Sequence, residues 1–314
     1  MGVHCKIPFG TVTAGRIMCG IVGIYLKNEG LQPELGGLLA AMLVEMSDRG
    51  PDSAGIALYR DPVPASSCKL TLHAANRCDW DALRTEMAAN LQADVKLDVR
   101  ASHAVVVIAA SAASVQDWLG TQHPELRIMS AGSAIEIYKE KGLPVEFVRQ
   151  FRLSELNGTH ALGHTRMATE SAVTTEHSHP FSTGMDLCLV HNGSLSNHNR
   201  LRRRLRDEGV DIQTDNDSEV AAGYLMWRLR EGDSLEEALE RALKDLDGFY
   251  TFAIGTKHGF AVLRDPIACK PAVMAETDDW VAMASEFRAI AQLPGVENAM
   301  IWEPSPATVY SWGQ

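Results

Sequence analysis

With 314 residues, 46% hydrophobic and 22% charged, the chain has enough apolar material for one large globular domain or two small ones, and it is neither disordered nor fibrous. Its formal net charge of −11 weighs against nucleic acid or an anionic membrane as partner, because both draw a positive surface. Chemistry on small molecules is the class that these numbers leave.

The first eighteen residues carry basic side chains without a continuous apolar core, which makes a poor signal peptide and leaves the cytoplasm as the default location. CGIVGIY, Cys19 to Tyr25, reads as a short buried strand. Residues 34–46 follow with apolar Leu35, Leu38, Leu39, Met42, Leu43 and Met46, a helical stripe that stops at DRGPD, where Gly50 and Pro51 break it. GIALYR, Gly55 to Arg60, is a second strand. Residues 61–155 read as a βα-type elaboration: KLTLHAA, a helix over Trp80, Leu83, Met87 and Leu91, then HAVVVIAA, then IMSAG leading into SAIEIYKEKG. That region has no linker composition and no internal repeat. Its apolar run from His103 to Val115 is too short and interrupted for a membrane span of about 20 residues.

Further on, LCLVHNG is a strand running into a turn and NDSEVAAGYLMWRLREG a capped helix. SLEEALERALKDLDG carries a Ser234/Glu237 capping box and a stop at Gly248. FYTFAIGTKHGFAVLRDP reads as a hairpin and WVAMAS as another strand, so sheets covered by helices are expected. The six cysteines (Cys5, Cys19, Cys68, Cys78, Cys188 and Cys269) form no CxxC pair and no Cys/His cluster. No metal site is therefore expected on this chain alone, and most of the thiols should be reduced and buried.

Cys19 follows Met18 directly, at the head of the first strand. As a first residue it would hold both a thiol of reference pKa about 8.5 and an α-amino base of about 7.7–8.0, and no separate histidine would be needed. Read alone, it is equally a buried strand cysteine. HNGS, His191 to Ser194, offers an Asn amide and a Gly N–H at a strand end, donors of the kind an oxyanion needs, although HNG is also a common turn. Arg166 in GHTRMATES can hold a carboxylate bidentately or serve as an ion-paired surface residue. Asp217 in TDNDSEV can accept an ammonium or cap a helix. Together these groups suit an α-amino acid with a side-chain amide.

At these residues the sequence resembles the class II, or N-terminal-nucleophile (Ntn), glutamine amidotransferases. The matching stretches, in chain order, are MCGIVGIY, DRGPDSAG, GHTRMAT, SHPF, VHNGSLSNH, NDSEV and RDPIACKP, which span Cys19 to about Glu286 apart from residues 61–155. The resemblance implies an α+β fold, the four-layer αββα sandwich of Ntn hydrolases. It implies Cys19 as nucleophile with its α-amino group as general base, and Asn192 and Gly193 as oxyanion hole. Arg166 would hold the glutamine α-carboxylate and Asp217 its α-amino group, with Thr169 a further substrate-binding residue. Arg49 and Gly50 would lie in the loop beside the first strand, and His179 would be a structural support. Met167 stands where some members have tryptophan, over the pocket. The implied reaction is attack of the Cys19 sulfur on the glutamine side-chain carbonyl, release of ammonia from a γ-glutamyl thioester, and hydrolysis to glutamate. Residues 1–18 would be a propeptide, or Met18 the initiator whose removal exposes Cys19, and residues 19–314 the amidotransferase domain.

The chain ends soon after ASEFRA, so the acceptor chemistry is expected on another chain. GHTRMATES, SAGSAIEIYKEKGLP and HNGSLSNHNRLRRRL are similar to the separate amidotransferase subunits related to glutamate synthase, including the A subunit of N-methylglutamate synthase. That resemblance implies no cofactor on this chain, a synthase partner carrying FMN and an iron–sulfur cluster, a smaller β-helical subunit, and residues 61–155 as a docking surface. In the N-methylglutamate case the amide cleaved would be γ-glutamylmethylamide, with methylamine delivered. Two other classes stay open. A stand-alone Ntn amidohydrolase on another amide would not need both Arg166 and Asp217, and a catalytically silent scaffold subunit would tolerate a blocked Cys19.

Overall fold

The computed structural model describes residues 19–167 and 173–313; the expected propeptide, 1–18, and Thr169 lie outside the described residues. The first strands in chain order are β1 (Gly20–Leu26), β2 (Ser53–Tyr59), β3 (Cys68–Ala74), β4 (Val95–Arg100), β5 (His103–Ile108), β6 (Leu126–Gly132), β7 (Ile135–Lys141) and β8 (His160–Arg166). They are followed by β9 (Phe181–Gly184), β10 (Leu187–Leu195), β11 (Gly248–Thr256), β12 (Gly259–Arg264), β13 (Val273–Glu276), β14 (Trp280–Ala284), β15 (Met300–Trp302) and β16 (Val309–Trp312). The helices are α1 (Leu35–Glu45), α2 (Trp80–Leu91), α3 (Ala112–Gln122), α4 (Pro144–Gln150), α5 (His198–Asp207), α6 (Asp217–Arg230), α7 (Leu235–Asp245) and α8 (Phe287–Ile290).

Period-two alternation sorts the strand residues into layers. In β1, Val22, Ile24 and Leu26 face α1, α4 and α8, while Ile21 faces the other sheet. In β10, Leu187 and Leu189 face the layer of α5, α6 and α7, while Cys188 and Val190 meet Ile21, Leu162 and Met283 between the sheets. The inner sheets are seven-stranded, β15-β13-β14-β1-β8-β2-β7, and five-stranded, β16-β12-β11-β10-β9. Helices cover both outer faces, which gives the αββα sandwich.

Local chemistry starts the helices where the sequence places them. The Asn216 side chain accepts from Ser218 N at 2.8 Å to cap α6. At α7, Ser234 Oγ accepts from Glu237 N at 3.2 Å and Glu237 Oε2 from Ser234 N at 2.8 Å, the reciprocal capping box.

Residues 68–132 form a separate four-stranded sheet of order β4-β5-β3-β6, built as βαββαβ with every pair antiparallel. Leu70, Leu72, Val106 and Ile108 on one face pack against Leu83 and Met87 of α2 and Val115 and Leu119 of α3. The module interrupts the β2/β7 hairpin, in which Tyr59 pairs with Ile135. Its exit is tied to the five-stranded sheet by Asp186, whose carboxylate accepts from Ser133 N (2.9 and 2.8 Å), Ser133 Oγ (2.8 Å), Ala134 N (2.8 Å) and Ile135 N (3.1 Å). Among the described residues no helix is long and apolar enough to cross a membrane.

Candidate active site

β1 lies between β8 and β14, with Gly20 opposite Thr165 and Val22 opposite Ala284. This register brings Cys19 to the end of β8 on one side and to Ser285 and Glu286 on the other. The Cys19 Sγ sits 3.4 Å from the Met167 N–H and 3.6 Å from the Met167 carbonyl. Burial pushes the thiol above its ordinary range, while the Met167 backbone, then Arg166, and more weakly Lys270, pull it down. A thiol so placed is protonated near neutrality and attacks only with a base at hand.

The Cys19 carbonyl accepts from Asn192 Nδ2 at 3.0 Å and Arg49 Nε at 3.2 Å. The Arg49 guanidinium also pairs with Glu286. Gly50 lets this loop press on β8, because a Cβ there would lie 2.5 Å from Arg166 N and Thr165 O. Segment 174–180 is pinned by Lys139, whose Nζ donates to the carbonyls of Glu176, Ser178 and Pro180 at 3.3, 2.9 and 3.1 Å.

Asn192 and Gly193 were expected at a strand end but lie within β10, paired with Thr251 and Tyr250 of β11, because the strand continues to Leu195. The second Asn192 Nδ2 bond goes to Ser285 Oγ at 3.1 Å, and its Oδ1 faces His164 Nε2 at 3.1 Å. Gly193 has φ +149, and a Cβ there would meet Phe249 O at 2.0 Å, so only glycine fits.

Arg166 ends β8 and is buried, 5% exposed. Burial lowers its pKa against the charges of Cys19, Asp52 and Asp215, which surround the guanidinium. Asp217 opens α6, but Asn216 is the cap. The Asp217 carboxylate instead accepts from Leu195 N at 2.9 Å and from Ser218 Oγ at 3.3 Å. His177 Nε2 meets Asp215 Oδ1 at 3.0 Å. His179 is buried with its ring 4.0 Å from that of His164 and edge-on to Phe181, away from direct contact with the Cys19 thiol.

The fold thus gathers Cys19, Arg49, Gly50, Arg166, Asn192 and Gly193 about one point, with Asp217 on the strand side of α6. Sequence reasoning missed His164, His191, Ser218, Ser285 and Glu286. Three of them, His164, His191 and Ser218, lie within two residues of a residue singled out, which was the available signal; His164 meets Asn192 of β10, and His191 Nδ1 of β10 meets Ser218 Oγ of α6 at 2.8 Å. Among the described residues, no group of three His, Cys, Asp or Glu side chains is placed to hold a metal ion.

Residues 164–292 match a family described as a glutamine amidotransferase domain. The chain is also 55% identical over 297 residues, 94% of its length and 98% of the relative's, to the glutamine amidotransferase-like protein GlxB of Rhizobium meliloti. The chain belongs to the glutamine amidotransferase family. This amidotransferase is 32% identical over 190 residues, 60% of its length and 41% of the relative's, to the amidophosphoribosyltransferase of Archaeoglobus fulgidus. Its fold is that of the glutamine phosphoribosylpyrophosphate amidotransferase of B. subtilis, with a TM-score of 0.59 at 22% identity. That likeness covers 94% of this amidotransferase and 49% of the longer chain.

Proposed function

We propose that this amidotransferase is the glutamine-cleaving subunit of a larger synthase and works through Cys19 once Cys19 is the first residue. The observation that carries the reading is the convergence of the Cys19 thiol, the Asn192 amide and the Arg166 guanidinium from β1, β10 and β8. The freed α-amino group takes the thiol proton as sulfur bonds to the γ-carbonyl carbon. The resulting oxyanion draws on Gly193 N–H and on the Asn192 amide, one proton of which turns to it from Ser285 Oγ, an acceptor that keeps its bond from Ile21 N–H at 2.9 Å. Collapse breaks the C–N bond, the α-ammonium returns the proton to the leaving amine, and water then cleaves the thioester to glutamate and thiol. Arg166 faces the α-carboxylate and Asp217 faces the α-ammonium.

In the finer reading, the partner is a flavin- and iron–sulfur-containing synthase with a β-helical subunit, and the complex is cytoplasmic and resembles N-methylglutamate synthase. The substrate is then glutamine or γ-glutamylmethylamide, and the elaboration over residues 61–155 is the docking surface. The test is the mass of the purified protein's N-terminus, followed by ammonia and methylamine release from the two amides, alone and with the synthase. The expected result is a start at Cys19, turnover, and its loss in Cys19→Ala. Full activity with residues 1–18 retained, or no turnover under either condition, overturns the reading.

A further inference from the structure

We infer that His164 is a positioning residue for the amide hydrolysis: through its Nε2–H it fixes which way the Asn192 amide points, and so where the oxyanion donor stands. This rests on the reading of Cys19 and Asn192 as nucleophile and oxyanion donor.

A main-chain carbonyl only accepts, so the Asn192 atom 3.0 Å from the Cys19 oxygen is the amide nitrogen. The atom turned toward His164 Nε2, at 3.1 Å, is therefore the amide oxygen. Two acceptors would face each other there unless Nε2 carries the proton. The ring is 1% exposed, and burial pushes its pKa down to about 3, so at neutral pH it has one ring proton to place. Its Nδ1 is buried without a hydrogen-bond partner, which leaves that nitrogen bare and the Nε2–H tautomer in place.

Neighbours hold the ring itself. His179 lies against it with 4.0 Å between centroids, and the His179 carbonyl occupies the space that a side chain at Gly55 would take. Without the His164 donor, the buried Asn192 Oδ1 loses its hydrogen bond, and the position of the amide rests on the Cys19 carbonyl and Ser285 Oγ alone.

The test uses the chain processed to Cys19. His164→Leu keeps approximate volume and removes the donor; His164→Gln supplies an amide N–H near the Nε2 position. The expected result for His164→Leu is a fall in kcat of about 100- to 1,000-fold, the loss associated with one oxyanion donor, with the KM for glutamine within about threefold. His164→Gln should recover kcat to within about tenfold of the parent. An unchanged kcat in His164→Leu, or a folded His164→Gln no better than it, overturns the inference. A second measurement needs no turnover: nitrogen-15 spectra of the imidazoles at neutral pH should show His164 protonated at Nε2 and bare at Nδ1. A proton on Nδ1 overturns the inference even if glutamine is cleaved, whereas a parent protein that cleaves no glutamine defeats only the functional reading.

Discussion

Arg49 and Asn192 donate to one oxygen, the Cys19 carbonyl, at 3.2 and 3.0 Å. One comes from the loop after α1 and the other from β10, so the main chain of the nucleophile is clamped from both sides of the sandwich. Arg49 serves Glu286 with the same guanidinium. A lysine has one nitrogen and cannot reach both acceptors in the fork geometry. Arg49→Lys should therefore lower kcat by roughly tenfold or more and cost about 1–2 kcal/mol of stability, read by glutaminase assay and urea titration. Full activity in that variant would show that the Arg49 arm of the clamp is dispensable.

Asp217 gives a prediction of the opposite kinetic kind. Asn216 caps α6, which frees the Asp217 carboxylate to meet a substrate ammonium while holding Leu195 N. Asp217→Asn keeps an oxygen for Leu195 and removes the charge. A hydrogen bond to a charged group contributes about 1.5–3 kcal/mol, so the KM for glutamine should rise roughly 10- to 150-fold with kcat little changed. If kcat falls and KM stays, Asp217 is not the ammonium acceptor.

The parts of this fold that sequence pattern exposes are those with strong local rules. The β11/β12 hairpin, the α7 capping box and the apolar runs of β1 and β10 each need only a short window to be read. α5 did not register as a helix, because HNRLRRRLRD offers just Leu201 and Leu205 as buried apolar positions. β4 went unseen for a similar reason: among its six residues only Val95 is fully buried. The candidate site divides the same way. Cys19, Arg166 and Asn192 could be singled out by residue type and neighbourhood, whereas the bond from His164 to Asn192 exists only because β8 and β10 lie in facing sheets. Ser285 and Glu286 come from near the far end of the sequence to Ile21 and Arg49, beside Cys19, through the β1/β14 pairing.

Buried neutral histidines set a direction for acid sensitivity. Burial pushes His160 to about 4 and His164 to about 3, and drives His103, His179 and His191 down as well. Against an unfolded value near 6.5, the unfolded chain binds protons below that pH that the native rings refuse. Their contribution is flat above about pH 6.5 and turns against the fold as pH falls toward 4, at up to about 1.4 kcal/mol per histidine per pH unit. Urea midpoints should fall steadily between pH 7 and 5, and His160→Gln should shallow that slope. A midpoint that rises on acidification contradicts this account.

Asp186 offers a stability test well separated from chemistry. It sits between β9 and β10 with φ +51, and its carboxylate takes backbone N–H groups of Ser133, Ala134 and Ile135 and the Ser133 hydroxyl. Those donors lie where the chain leaves β6 and enters β7, so one carboxylate fastens the 68–132 module's exit to the five-stranded sheet. Asp186→Ala strands several donors at once, and losing bonds to a charged acceptor should cost roughly 3 kcal/mol. Thermal unfolding should report a clear drop in Tm. The hydrogen bonds of Cys19 and Asn192 go to Met167, Arg49, Ser285 and His164 and not to Asp186, so kcat for glutamine measured well below the new Tm should stay close to the parent value. A variant that keeps its Tm would mean that water or neighbouring groups replace the carboxylate. One that loses kcat while folded would instead show that the strand carrying Asn192 is positioned from its far end, through β10.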